Sequence, residues 1–201
     1  MPNIKEVDYI NKLLQDLVSI SGLSGHETNV RNYLLQQLKK NSLKSKTDIL
    51  GNLICTLQGE ENLPSIILFA HMDQLGFIVK KIEDNGFIRV EKVGGIPEKA
   101  LASQDVVIVN NKNELIKGII GNKSHHATQQ DEKFKVTAIK DIFLDARFKS
   151  KADVLRKGIN IGSPVTYAPF YKTLSNNNVC GSSIDDRAGC AVILNIATSL
   201  I

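Results

Sequence analysis

Gly76-Phe77-Ile78-Val79-Lys80-Lys81-Ile82-Glu83-Asp84-Asn85-Gly86-Phe87-Ile88-Arg89-Val90-Glu91-Lys92-Val93 is the stretch on which the architecture turns. Two β-rich runs flank Asp84-Asn85-Gly86, and an Asn-Gly step tolerates the positive φ of a tight hairpin. Further short apolar runs follow at Asp105 to Val109, Leu115 to Ile120, Phe134 to Ile139, Ile142 to Asp145 and Pro164 to Tyr167. Many short strands at this spacing read as a small β-barrel or sandwich. Lys149 to Lys157 reads as a short helix ended by Gly158.

The flanks have a different character. Ile4, Val7, Ile10, Leu13, Leu14, Leu17 and Val18 recur at helical spacing, predicting a helix over about 4–19. After the break Ser21-Gly22-Leu23-Ser24-Gly25, Ser24 and Glu27 fit a capping box. A second helix then places Val30, Tyr33, Leu34 and Leu38 on one face, with His26 in its first turn. Asn52 to Leu57 reads as a strand and Ser65 to Ala70 as a buried one, which together with two helices makes an α/β layer. The β-rich part is therefore read as an insertion: 1–73 first part of the α/β domain, 74–165 the inserted domain, 166–201 the second part. The last segment, Ala188 to Ile201, is apolar nearly all round, as in a helix buried within a larger domain. It has no terminating Gly and no basic last turn, so the chain reads as truncated.

Composition narrows the function classes. Net charge is +4 with lysines scattered along the chain, unlike the clustered basic surface of a nucleic-acid binder. No apolar stretch is long enough for a membrane span. Cys55, Cys180 and Cys190 form no CxxC pair, and Met1-Pro2-Asn3-Ile4-Lys5-Glu6 lacks signal-peptide character. A cytoplasmic protein is expected.

Two carboxylate motifs carry the chemistry. In Ala70-His71-Met72-Asp73, residues two apart at a strand end share a face. An imidazole can then ligate a metal through one nitrogen while the carboxylate holds the other. Taken alone, His-x-Asp also describes an ordinary surface pair. Asp185-Asp186-Arg187-Ala188-Gly189 opens the last helix. Its acids fit either an N-cap with a favourable first-turn charge or a carboxylate bridging two metal ions. Arg187 would then partner the other Asp. His125 and His126 sit in a polar loop of the β-rich region, at a substrate edge or in solvent, and Gly94-Gly95 reads as a turn.

Several segments, in order, resemble the M42 family of metalloaminopeptidases. They are Ser21-Gly22-Leu23-Ser24-Gly25-His26-Glu27, Leu50-Gly51-Asn52-Leu53, Ala70-His71-Met72-Asp73-Gln74-Leu75-Gly76-Phe77, Val93-Gly94-Gly95-Ile96, Gly118-Ile119-Ile120-Gly121 and Asp185-Asp186-Arg187-Ala188-Gly189-Cys190. Gly121-Asn122-Lys123-Ser124-His125-His126 further resembles the FrvX-like branch. The resemblance implies part of an aminopeptidase-type α/β catalytic domain with an inserted barrel-like dimerisation domain. It implies His71 and Asp185 as metal ligands, Asp185 bridging two divalent ions (zinc or cobalt). It also implies Asp73 as the catalytic residue orienting His71, with Asp186 behind the ligands. Peptides are the implied substrate, and homo-oligomers from dimer to dodecamer the implied assembly. The family's Glu-Glu pair, further Asp and final His have no counterpart here, because Glu60-Glu61 lies elsewhere in order. No general base is therefore expected in this chain, and the 201 residues alone are expected to be inactive. The alternative is a non-catalytic remnant or assembly module of an M42-type oligomer. A glycan hydrolase is the least supported reading, since it needs two carboxylates flanking a sugar cleft.

Overall fold

The computed structural model describes residues 4–200. Met1-Pro2-Asn3 of the expected polar start and Ile201 of the expected apolar helix lie outside the described residues. The chain divides into two compact units: the part up to Gln74 together with the part from Pro169 onward, and Leu75–Ala168.

The first unit opens with α1 (Ile4–Val18), whose Leu13, Leu14, Leu17 and Val18 are buried along one stripe, as the spacing predicts. Helix α2 (Thr28–Lys40) buries Val30, Leu34 and Leu38 at four-residue steps and carries Lys39 and Lys40 in its last turn, where the helix dipole favours cations. The Tyr33 hydroxyl donates to Asp16 at 3.0 Å, tying α2 to α1. The expected capping box does not form. Ser24 donates its hydroxyl to the Asp73 carboxylate, and Glu27 Oε1 accepts from the Gly25 amide at 2.6 Å. A charged acceptor holds a hydroxyl more strongly than a backbone amide needs a cap. The helix consequently starts later than expected, and exposed His26 lies in the loop before it. Strands β1 (Ser45–Thr47) and β2 (Leu53–Cys55) pair antiparallel, Lys46 opposite Ile54.

The expected buried strand over Ser65 to Ala70 is corrected by the structure. These residues join no strand, and Ile66, Ile67, Leu68 and Phe69 are 85, 83, 53 and 89% exposed. A strand apolar on both faces needs neighbours on both edges and cover on both sides. Among the described residues this unit has only two-stranded sheets.

The second unit is a closed antiparallel barrel of β3 (Gly76–Ile82), β4 (Ile88–Val93), β5 (Asp105–Val109), β6 (Leu115–Gly121), β7 (Phe143–Asp145) and β8 (Pro164–Tyr167), in the order β3-β4-β7-β6-β5-β8. Pairing of β8 with β3 closes it, Phe77 opposite Val165. The β3–β4 hairpin turns as expected, with Gly86 at φ +89° and its amide donating to Glu83 O at 2.9 Å. A side chain at Gly86 would also meet Phe148 O at 2.6 Å, so only glycine fits. Phe77, Ile88, Leu101, Ile108, Leu144, Ile159 and Val165 fill the interior without exposure. Helix α3 (Lys151–Arg156) lies beside it, capped by the Ser150 hydroxyl. Phe134 to Ile139 is not the strand its apolar residues predict: Phe134 is 91% exposed in a turn region. The ring already closes on six strands and has no edge left to receive another.

The chain then completes the first unit with a small hairpin, β9 (Tyr171–Thr173) and β10 (Val179–Gly181), and α4 (Ile184–Ser199). Helix α4 packs on α1 and α2, burying Cys190, Ala191 and Leu194 while Val192 faces solvent. Its Asn195 amide donates to Glu6 of α1 at 3.0 Å. No helix among the described residues is long and apolar enough to cross a membrane.

Candidate metal centre

His71 and Asp73 sit on the extended segment that leads into Gln74, whose amide donates to Gly22 O at 2.9 Å and which bridges Leu23 in parallel fashion. Asp185 and Asp186 open α4 with non-helical dihedrals, joined by a cis peptide bond. The fold brings these two segments together. His71 Nε2 lies 3.0 Å from Asp185 Oδ1, and His71 Nδ1 lies 2.9 Å from Asp73 Oδ1. Ser24 holds the other oxygen of Asp73.

The electrostatics follow from these contacts. Partial burial would lower the His71 pKa, but the hydrogen bonds and charges of Asp185 and Asp73 outweigh it and raise it. The Ser24 hydroxyl, with His71 beside it, holds the Asp73 carboxyl below the usual carboxylate range against a smaller effect of burial. Asp185 is 94% exposed, so no wall of described residues excludes water from it.

Asp186 accepts from the Gly189 amide at 2.9 Å, capping the regular part of α4. Arg187 is not its partner. That guanidinium is fully buried, with Nη1 donating to Leu17 O at 3.1 Å and Nη2 to Gln74 Oε1 at 3.3 Å. Burial pushes its pKa down to about 10, still charged at neutral pH. Cys190, one turn further on, donates its thiol to His71 O at 3.4 Å. Sequence reasoning gives Gln74 and Cys190 no role, and Ser24 only that of a helix cap. They stand inside the segments that carry the family resemblance, but nothing in local periodicity marks them.

The donor set suits a metal ion in part. Nδ1 tied to a carboxylate leaves Nε2 to face a metal, the arrangement usual for a ligating imidazole. Nε2 and Asp185 Oδ1 at 3.0 Å can share one ion whose ligand bonds are about 2 Å long. Among the described residues, no three His, Cys, Asp or Glu side chains form a complete cage. The other candidates stand apart. His125 and His126 are exposed in a short turn of the barrel unit, their ring centroids 5.8 Å apart at 81°, edge to face. Glu60 and Glu61 are exposed in the loop after β2.

The Escherichia coli (strain K12) protein SgcX is 33% identical over 192 residues, spanning 95% of this chain and 51% of SgcX. An aminopeptidase from the archaeon Desulfurococcus kamchatkensis superposes with a TM-score of 0.87 at 31% identity, covering 98% of this chain and 53% of that one. The Pyrococcus horikoshii TET1 peptidase, which assembles into a tetrahedron or a large octahedral shell, gives a TM-score of 0.85 at 27% identity over 96% of this chain and 56% of its own. The chain thus spans about half the length of the curated relatives it matches. The family model for M42 glutamyl aminopeptidase matches residues 51–201, taking in the barrel and both carboxylate motifs, and the chain belongs to that family.

Proposed function

We propose that this chain supplies the first part of the metal centre of an aminopeptidase that removes N-terminal residues from short peptides. The observation that carries the reading is the meeting of His71 Nε2 with Asp185 Oδ1, 114 positions apart in sequence, while Asp73 holds the opposite ring nitrogen. In this reading His71 and Asp185 would hold the divalent ions, zinc or cobalt. Such ions polarise a scissile carbonyl and lower the pKa of bound water.

The chain's own residues do the positioning. Asp73 keeps the proton of His71 on Nδ1 and turns the ring so that Nε2 faces Asp185. Ser24 keeps Asp73 ionised and fixed. Asp186 caps α4 and so sets where Asp185 stands. Among the described residues no side chain takes the role of general base in this reading, a function worth about 10²–10⁴ in rate. Two protein ligands also fall short of the three usual at catalytic zinc. The 201 residues alone are therefore expected to bind metal weakly and to turn over peptides negligibly. Assembly as a homo-oligomer is part of the proposal, supported by the shells that the TET1 peptidase forms. So is a cytoplasmic setting, supported by three cysteines that are all unpaired.

The test is a cobalt(II) titration of the chain followed by NMR. His71 ring protons are expected to shift and broaden as cobalt is added, D185A to abolish the effect, and H71A to lose the cobalt binding that cobalt absorption reads. Cobalt binding that is indifferent to both substitutions would sink the reading.

A further inference from the structure

Arg187 is the largest fully buried side chain among those described, and it is a cation. Among the described residues no carboxylate lies within ion-pair distance of it, and its Nε has no hydrogen-bond partner. Burying a charge without a paired counter-charge is costly, and an apolar side chain of similar volume is often the more stabilising filler. Packing therefore gives no reason for arginine here.

Its position does. Arg187 lies two residues after Asp185, and the Gln74 it holds lies three residues after His71. The other arm of the guanidinium holds Leu17 O at the end of α1. Gln74 is itself anchored through its amide to Gly22. A side chain on Gly22 would sit 2.6 Å from Arg187 Nη2, so the turn after α1 is shaped around the guanidinium. One rigid planar fork thus ties the segment bearing His71 to the helix start bearing Asp185, a geometry lysine's single ammonium does not reproduce.

We propose that Arg187 is a positioning residue that sets the separation of His71 and Asp185 by clamping Gln74 against the first turn of α4. The proposal rests on the metal-centre reading above. The clamp acts through Gln74 and Leu17 and touches neither ligand.

The experiment uses the full 201-residue chain and the variants R187M, R187K, Q74A, H71A and D185A. L38A, a buried change on α2 outside the clamp, controls for general loosening. Two quantities are read: the cobalt(II) dissociation constant and, without metal, the ring ¹H–¹⁵N spectrum of His71 at fixed pH. R187M and Q74A are expected to stay folded, to weaken cobalt binding roughly 10-fold or more, as loss of outer-shell support does at metal sites, and to shift the His71 ring signals. R187K should fall between them and the unaltered chain, and L38A should leave both readouts unchanged.

If R187M and Q74A match the unaltered chain while H71A and D185A lose cobalt, the clamp is overturned and the metal reading stands. If H71A and D185A bind cobalt normally, the metal reading falls and the metal-free spectrum alone decides the clamp: unchanged ring signals overturn it. An L38A spectrum perturbed as strongly as that of R187M also overturns it. Should R187M unfold, Q74A carries the comparison, since it leaves the guanidinium in place and removes only its grip.

Discussion

Three side chains from the first turns of α4 reach the same short segment. Asp185 meets the His71 ring, Cys190 donates to the His71 carbonyl and Arg187 holds Gln74. Cys190 offers a direct check on this packing. Burial pushes its thiol up to about 11, so at pH 8 roughly one part in a thousand is the reactive thiolate. Cys180 is exposed, and Cys55 is half-buried with its thiol raised by burial. Alkylation of the native chain, read site by site by mass spectrometry, should modify Cys180 first and Cys55 more slowly. Cys190 should react only after unfolding. Native labelling of Cys190 as fast as Cys180 would show that α4 does not seat as described. His71 and Asp185 stand out in the sequence because each sits in a compact motif of residue types suited to metal, and the fold brings the two to 3.0 Å. The side chains that hold the two segments do not stand out. The pairs Ser24–Asp73 and Gln74–Arg187 lie 49 and 113 positions apart, and a contact of that range leaves no local spacing to read.

Elements were legible where one local pattern decided them. The β3–β4 hairpin follows from two β-rich runs around Asn85-Gly86, and α1 and α2 from their apolar stripes. Ser65 to Ala70 departs from its sequence pattern because an apolar run reports what a segment needs, whereas burial depends on partners elsewhere. Strands β9 and β10, three residues each, are too short to show a period. Two predictions belong at this scale. Leu144 is fully buried in the barrel, and L144A should cost about 2–5 kcal/mol. Ile67 is 83% exposed, so I67S should change the stability of this chain by no more than about 0.5 kcal/mol. Urea melts measure both, and a large loss in I67S would mean that the segment is covered after all. The hairpin also predicts a pH dependence. Arg89 donates to Glu83 at 3.0 Å and, with help from Lys81, holds that carboxyl below its ordinary value of 4.5. Above that value Glu83 is ionised in both folded and unfolded chains, and the pairing favours the folded one. As pH falls, the unfolded chain takes up the proton first, and the contribution is gone below the lowered folded pKa. The stability gap between the native chain and E83Q should therefore be full at pH 7 and shrink below about pH 4.5. A gap that stays constant down to pH 3 would rule out the Arg89 pairing as its source.

At the scale of the whole molecule, the two units are built on different terms. The first unit buries the inner stripes of α1, α2 and α4 against one another but leaves Ile66 to Phe69 and the Asp185 carboxylate in solvent. The barrel satisfies every strand within itself, because six antiparallel strands close into a ring that leaves no edge to pair elsewhere. It also has its own apolar interior, from Phe77 on β3 to Val165 on β8, and its chain enters and leaves on Leu75 and Ala168. A segment of this size with a closed sheet and a filled core meets the requirements for folding alone. The excised segment Leu75–Ala168 should therefore give a single cooperative urea transition followed by circular dichroism. Introducing L144A into both the excised segment and the full chain adds a sharper requirement. If the barrel's core is its own, the destabilisation should agree between the two within about 0.5 kcal/mol, as for sites that share no partners. A non-cooperative melt of the excised segment would show that the barrel borrows stability from the rest of the chain. A much larger loss in one context would show that Leu144 is coupled to residues beyond the barrel.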